Sequence, residues 1–394
     1  MALLQTLLWE ECRSEAPRSL PVAAGLHHSA FVDTSGRLLM CSRTRSEGAV
    51  AWEPTPLTPV RGLAAVRVTS VSSSSSHTLA VTATGAVYAF GKNCVGQLGL
   101  GDLVERRVAC RIDLLECSVV QVSCGCDFSL AMTSTGEIFG WGNKSAWYPG
   151  HHIGTDAHAT PAHVEMPTRD RMWAVATGFS HCLTLTEEGA VYGWGKGSCG
   201  QHGHGHIGRQ NTPLRVKTLE RVRVRAVAAG GHRSLAVSDA GVVYWWGISI
   251  ASSMSTTPVV MKELTHVTVR TATTRNGVVY VVSEEGAVHR YGPSVSSGNV
   301  VTEIVSVPLD EAVATPSEGE VRVKAVLSGP THALAVLENG TVCGWGDMRN
   351  WHAAPGALPA PGVNSSSAST TRTESHPLVL PELRLLVAHD TTPF

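Results

Sequence analysis

The 394-residue chain has little charge, with Asp, Glu, Lys and Arg together at 16%, and no excess of either sign: 31 basic side chains against 32 acidic. Neither a basic surplus nor a basic tail is present, and both are usual where phosphate contacts carry affinity, so a nucleic-acid partner is disfavoured. No apolar run reaches the roughly 18–20 residues that span a bilayer. The apolar start, Met1 to Leu8, is followed at once by Glu10 and Glu11 and has no basic leader, which disfavours secretion and mitochondrial import, so a cytoplasmic location is expected. Ten cysteines occur without a paired C-x-x-C array; the lone Cys124-Gly125-Cys126 reads as reduced thiols rather than a zinc site. No G-x-S-x-G elbow and no P-loop appears. The sequence therefore offers no catalytic residue, cofactor or metal ligand set, and the chain is expected not to be an enzyme.

Hydrophobic residues make up 43%, enough for a large core, and there are 39 glycines. Those glycines are periodic. A short apolar strand runs into a tight turn closed by Gly, and a second strand ends in an aromatic and another Gly. His77-Thr78-Leu79-Ala80-Val81 with Gly85 to Gly91, and Leu183-Thr184-Leu185 with Gly189 to Gly195, are the clearest copies. The turn glycines are Gly36, Gly85, Gly136, Gly189, Gly241, Gly286 and Gly340, separated by 49, 51, 53, 52, 45 and 54 residues. Gly supplies the positive φ that tight hairpins need. Five residues after each turn Gly from the second copy onward stands a large ring: Phe90, Trp141, Trp194, Trp246, Tyr291 and Trp345. A four-stranded sheet cannot bury both faces alone, so seven of them stacked in a ring is the predicted architecture: an all-β, seven-bladed propeller of about fifty residues per blade. It fills residues 1–394 as one domain, with 292–320 and 347–376 as inserted loops. Leu378 to Leu380 and the following residues repeat the strand pattern and read as a terminal strand that closes the ring.

These residues resemble the regulator of chromosome condensation repeat family. The signature Gly96-Gln97-Leu98-Gly99 matches its G-Q-L-G motif, and Gly200-Gln201-His202-Gly203 is a degraded copy. There are departures: Cys41-Ser42 replaces the first Trp-Gly, Ser72 to Ser76 replace an anchor glycine, and the fifth and sixth copies lack G-Q-L-G. The resemblance implies a binding surface. A non-catalytic scaffold, as a cytoplasmic subunit of a larger assembly of the cytoskeletal or ciliary-flagellar kind, is the first expectation. The alternative is guanine-nucleotide exchange on a Ran-like small GTPase. In that family exchange uses a wedge in the third blade, whose place Gly142 to Gly150 takes here without reading like it.

Individual side chains give weak signals. His28, His77, His181 and His332 hold one repeat position that is Phe128, Arg233 or Val278 in other copies, which points to structure. His202, His204 and His206 alternate but lack an obvious carboxylate or Cys to complete a metal site. Arg215, Lys217, Arg221 and Arg223 form the densest basic stretch and, with Trp147 and Tyr148, are the candidate partner-binding residues.

Overall fold

The computed structural model describes residues 20–26, 28–44, 53–54, 57–113, 117–147, 157–248, 253–275, 277–296, 299–306, 322–329, 332–346 and 378–384. They form seven antiparallel sheets in a ring, six of four strands and a first with two short outer strands. Each sheet is made of one consecutive stretch of chain. Blade one holds Val22–Ala24, His28–Val32 and Leu38–Thr44; blade two Val68–Ser73, His77–Thr82, Val87–Gly91 and Arg106–Arg111. Blade three holds Val119–Cys124, Phe128–Thr133, Ile138–Asn143 and Ala157–Val164; blade four Met172–Thr177, His181–Thr186, Val191–Gly197 and Gly208–Arg215. Blade five holds Val224–Gly230, Arg233–Ser238, Val243–Ile248 and Met254–Val260; blade six Val269–Arg275, Val278–Ser283, Val288–Ser296 and Asn299–Ser306. Blade seven holds Val323–Ser328, His332–Leu337, Thr341–Gly346 and Leu378–Arg384.

The terminal strand exists, but its place refines the expectation. Leu378–Arg384 is the outer strand of blade seven, paired with Thr341–Gly346, and no sheet mixes the two ends of the chain among the described residues. The ring closes by packing of blade seven on blade one. A second correction concerns the inserted loop 292–320. Its first half is a long hairpin, Val288–Ser296 against Asn299–Ser306 in unbroken register. Pro293, Ser and Gly suggest a loop, but the β-branched Val300, Val301, Ile304 and Val305 favour a pleated strand. Residues 307–321 and 347–377 lie outside the described residues.

The apolar core is divided among the seams. Seven clusters of buried side chains lie one between each neighbouring pair of blades. The repeated ring points at the preceding blade: Trp141 packs with Leu79 and Val87, Trp194 with Leu130 and Met132, and Trp246 with Leu183 and Val191. All three tryptophans are fully buried. Burying rings of this size is a large favourable term.

A polar clasp fixes each seam at one face. Trp141 Nε1 donates to the Gln97 carbonyl at 2.9 Å, and Ser129 Oγ donates to the same oxygen at 2.9 Å. His77 Nε2 lies 2.8 Å from Ser129 Oγ. The serine hydrogen is committed to the carbonyl, so the imidazole Nε2 is the donor. The next full copy is the same: Trp246 Nε1 and Ser234 Oγ meet the Gln201 carbonyl at 2.8 and 2.7 Å, and His181 Nε2 stands 2.9 Å from Ser234 Oγ. The seam from blade seven to blade one carries the matching pair, His332 Nε2 to Ser29 Oγ at 2.8 Å. Where the histidine is absent, its hydroxyl partner is absent too: Phe128 precedes Cys182 across the seam and Val278 precedes Ala333.

The opposite face is stitched by the turn glycines. All seven have φ between 75° and 87°. The carbonyls of Gly36, Gly85, Gly189, Gly241 and Gly286 accept the first strand N–H of the next blade. A Cβ on Gly85 would stand 2.5 Å from Ser118 Oγ, so the turn needs both the backbone angle and the missing side chain.

Three outcomes follow from these seams. Trp194→Ala should cost about 3–5 kcal/mol, and Trp194→Phe less, because it keeps a ring and loses the bond to the Trp147 carbonyl; denaturant unfolding measures both. Ser29→Ala should cost about 1–3 kcal/mol by stranding a polar group of the closing seam. Burial pushes His77 and His181 down to about 3. The unfolded chain therefore binds more protons than the folded chain between about pH 6.5 and 3, and stability falls as pH drops through that window. Each histidine should contribute about 1.4 kcal/mol per pH unit. His181→Gln should remove one such share of the slope, read from guanidinium midpoints at pH 6 and 4.5.

Candidate interaction surface

Antiparallel strands alternate in direction, so each blade sends its first-to-second and third-to-fourth connections to one face of the disc. Its glycine turn and its link to the next blade go to the other. The first face carries the longer connections and is called here the loop face.

The candidate residues of the sequence divide between the two faces. Arg215 ends the outer strand of blade four, and Lys217, Arg221 and Arg223 follow in the link to blade five, on the turn face. Lys217–Leu219 is one 3-10 turn, pinned by the buried Leu219. Arg215 stands 3.9 Å from Glu220, and Arg223 stands 3.5 Å from Asp239 of the blade-five turn. Lys217 and Arg221 are exposed. Half of this basic stretch is therefore matched by neighbouring carboxylates.

Trp147 requires a correction. It ends a helical turn, Lys144–Trp147, on the loop face, and its side chain is fully buried. Asn143 Oδ1 accepts from the Ser145 backbone N–H and hydroxyl at 3.0 and 2.7 Å and so starts the turn. The indole packs edge-on to His158 with ring centroids 5.6 Å apart, inside the blade three–four core. Its carbonyl accepts Trp194 Nε1 at 2.9 Å. The segment thus supplies the carbonyl that Gln97 and Gln201 supply in blades with the G-Q-x-G loop. A large aromatic in a loop suggests an exposed anchor; here an apolar seam next to it takes the ring. Tyr148 and the rest of that segment to Gly150 lie outside the described residues.

The alternate histidines cluster, with the His206 ring centroid 4.7 Å from that of His202, but not in a metal-holding arrangement. The His202 and His204 rings stack with centroids 4.9 Å apart, and His204 Nε2 donates to the Gly193 carbonyl at 2.9 Å. Burial, then the neighbouring imidazoles, pushes His202 down to about 4. Among the described residues, no group of three or more His, Cys, Asp or Glu is placed to hold a metal ion. The nine described cysteines form no disulfide, and burial raises Cys41 to about 11 and Cys124 to about 12.

Sequence reasoning missed a set of exposed apolar side chains. Leu103 and Val104 of blade two are 52% and 60% exposed, Ile207 of blade four 62%, and Met254 of blade five 51%. Leu103 and Ile207 hold the same repeat position, seven residues after Gly96 and Gly200. That coincidence, an apolar residue in a glycine-rich loop in two copies, was the available signal. The loop carrying Ile207 is bound to the strand carrying Met254 through Gly205 N–H to the Thr256 carbonyl at 2.9 Å. Scattered exposed apolar residues are ordinary, but several on the loop side of one disc form a candidate contact surface.

Comparison with known proteins agrees with this geometry. A family model described as the regulator of chromosome condensation (RCC1) repeat matches residues 84–132 and 188–237, and a second of the same description matches 68–97 and 174–201. The ultraviolet-B receptor UVR8 of Arabidopsis thaliana is 33% identical over 183 residues, which are 46% of this chain and 41% of the receptor. The human E3 ubiquitin-protein ligase HERC2 is 33% identical over 225 residues, 55% of this chain and 5% of the ligase. The chain spans less than half the length of these relatives. Human WBSCR16 superposes with a TM-score of 0.68 at 23% identity, covering 78% of this chain and 84% of that one. Prp20p of Saccharomyces cerevisiae superposes with a TM-score of 0.63 at 20% identity, covering 83% and 81%. Matched repeats in two parts of a ring whose seven blades share one pattern of glycine turns and aromatic seams make this a β-propeller built on RCC1-type repeats.

Proposed function

We propose that the disc is a non-catalytic protein–protein interaction scaffold that binds partners through its loop face. The observation that carries this is the placement of Leu103, Val104, Ile207 and Met254, half or more exposed, on that side of blades two, four and five. The polar groups that recur in the repeats support the same reading from the other direction. His77, His181 and His332 and their serine partners are engaged across seams and are not offered to a substrate. A subunit of a larger cytoplasmic assembly, of the cytoskeletal or ciliary-flagellar kind, is the specific form proposed.

Prp20p is titled for its binding to Gsp1p and histones, and yeast RCC1 (Prp20) for its complex with Kap60. Those are properties of proteins that share the fold at 20% identity, and fold alone does not carry function. Exchange on a small GTPase is the alternative outcome of the test. The inward packing of Lys144–Trp147 supports the scaffold over nucleotide displacement at that position.

Affinity purification of the tagged chain from its own cells, with and without GTP, should return a fixed set of protein partners indifferent to nucleotide. Leu103→Asp with Ile207→Asp should strip those partners while moving stability by no more than about 0.5 kcal/mol per site. A small GTPase released by nucleotide would instead establish exchange. Partners lost with Lys217→Glu and Arg221→Glu but kept by the apolar pair would put binding on the turn face.

A further inference from the structure

The inner strand of every blade leads to one repeat position at the loop-face mouth of the central channel. Five blades place glycine there: Gly25, Gly125, Gly178, Gly230 and Gly329. At Gly25, Gly125, Gly178 and Gly329 the reason includes space for the ring three residues on, whereas at Gly230 it is the Thr274 carbonyl of the next blade, which a Cβ would meet at 1.7 Å. A Cβ on Gly178 would stand 2.0 Å from His181 Cε1, and one on Gly125 would stand 2.0 Å from Phe128 Cε1. Blade two has Ser74, whose hydroxyl is 3.0 Å from His77 Nδ1 and bonds the ring instead of colliding with it. Blade six has Arg275. Its ring position is filled by the small Val278, so the crowding that demands glycine elsewhere is gone.

That arginine is not explained by the fold. Its Nε is buried and has no hydrogen-bond partner, and no carboxylate among the described residues forms an ion pair with it. The ionisable groups acting on it are the thiols of Cys126 and Cys124. Both stand on blade three, which in a ring of seven is as far from blade six as a blade can be. The guanidinium therefore reaches over the channel toward its opposite wall. The thiols do not balance its charge, because burial raises both, Cys124 to about 12, and keeps them neutral. Burial lowers Arg275 from its ordinary value, yet a guanidinium stays protonated in proteins. The neighbouring buried arginine shows the contrast: Arg233 donates to the Ile248 carbonyl at 2.7 Å and the Gly277 carbonyl at 3.4 Å. Arg275 is half-buried, and a cation with a desolvated, unpartnered Nε and no counter-ion is costly to keep at the channel mouth, a cost that falls when an anion arrives.

We propose that the loop-face mouth of the central channel is a binding site for a carboxylate presented by an acidic segment of a partner protein, with the Arg275 guanidinium as its counter-ion. One guanidinium carries one charge and offers a planar pair of N–H donors, which matches a single carboxylate. A phosphate dianion would leave a second charge unbalanced between neutral thiols. This goes beyond the scaffold reading and rests on its own observation.

The test uses the full purified chain and a labelled, C-terminally amidated hexaglutamate peptide, with hexaglutamine as control, read by fluorescence anisotropy at low salt. Hexaglutamate should bind and hexaglutamine should not. Arg275→Gln should weaken binding by about tenfold or more, as expected for a lost charge-assisted pair. Arg221→Gln, on the opposite face, should leave it unchanged. Arg275→Gln and Arg275→Met should melt no lower than the parent chain, because a half-buried charge without a counter-ion has been removed. Equal binding by Arg275→Gln, no binding by the parent chain, or a lowered melting temperature in both variants would each overturn the proposal. Competition by inorganic phosphate as strong as that by acetate would overturn the choice of a carboxylate.

Discussion

A backbone carbonyl buried between two sheets must find a donor, and here the donors come from across the gap. In this ring that need becomes the joint. One carbonyl of the preceding blade, from Gln97 or Gln201, receives an indole N–H and a serine hydroxyl of the following blade, and the serine in turn receives an imidazole N–H. Three side chains from two sheets are thereby fixed around a single oxygen. The apolar clusters supply most of the free energy of packing, but they are tolerant of sliding; the clasp is directional and sets the register of one blade on the next.

This view makes sense of the irregular repeats. Blade three has no G-Q-x-G loop, yet its seam with blade four is intact, because the helical turn ending at Trp147 delivers a carbonyl to the same place for Trp194. The histidine and its hydroxyl are kept or lost together, as Phe128 with Cys182 and Val278 with Ala333 illustrate. Losing one partner alone would strand a buried polar group, which costs more than losing both. With the recurring polar side chains consumed in this way, the chemistry open to a partner is what the repeats do not use: the exposed Leu103 and Ile207, and Arg275.

The fold was legible in the sequence because its constraints act at single positions. Only glycine meets the positive φ and the close approach of Ser118 at Gly85, and only a large ring fills the seam at Trp141. Both recur at fixed spacing and count the blades. The candidate surface was less legible. Trp147 acts through its backbone oxygen, and no side-chain identity announces that role. That the basic stretch around Lys217 faces away from the longer connections follows from strand direction, not from composition. The strand at 299–306 was hidden because polar and turn-forming residues surround its β-branched run. Arg275 stood in plain view as a departure from glycine, and its meaning depended on knowing that Val278 lies three residues away in the space a ring would fill.

The way the ring closes has a consequence for how the protein is made. Every sheet is complete within one stretch of chain, so each can form as it emerges during synthesis and dock on its predecessor, adding one joint at a time. The seam between blade seven and blade one is different: His332 must find Ser29 across 303 residues of sequence. Joining segments so far apart in sequence carries a large loop-closure entropy loss. That seam can form only once blade seven has been made, and until it forms the ring is an open arc with an uncovered face on blade one and on blade seven.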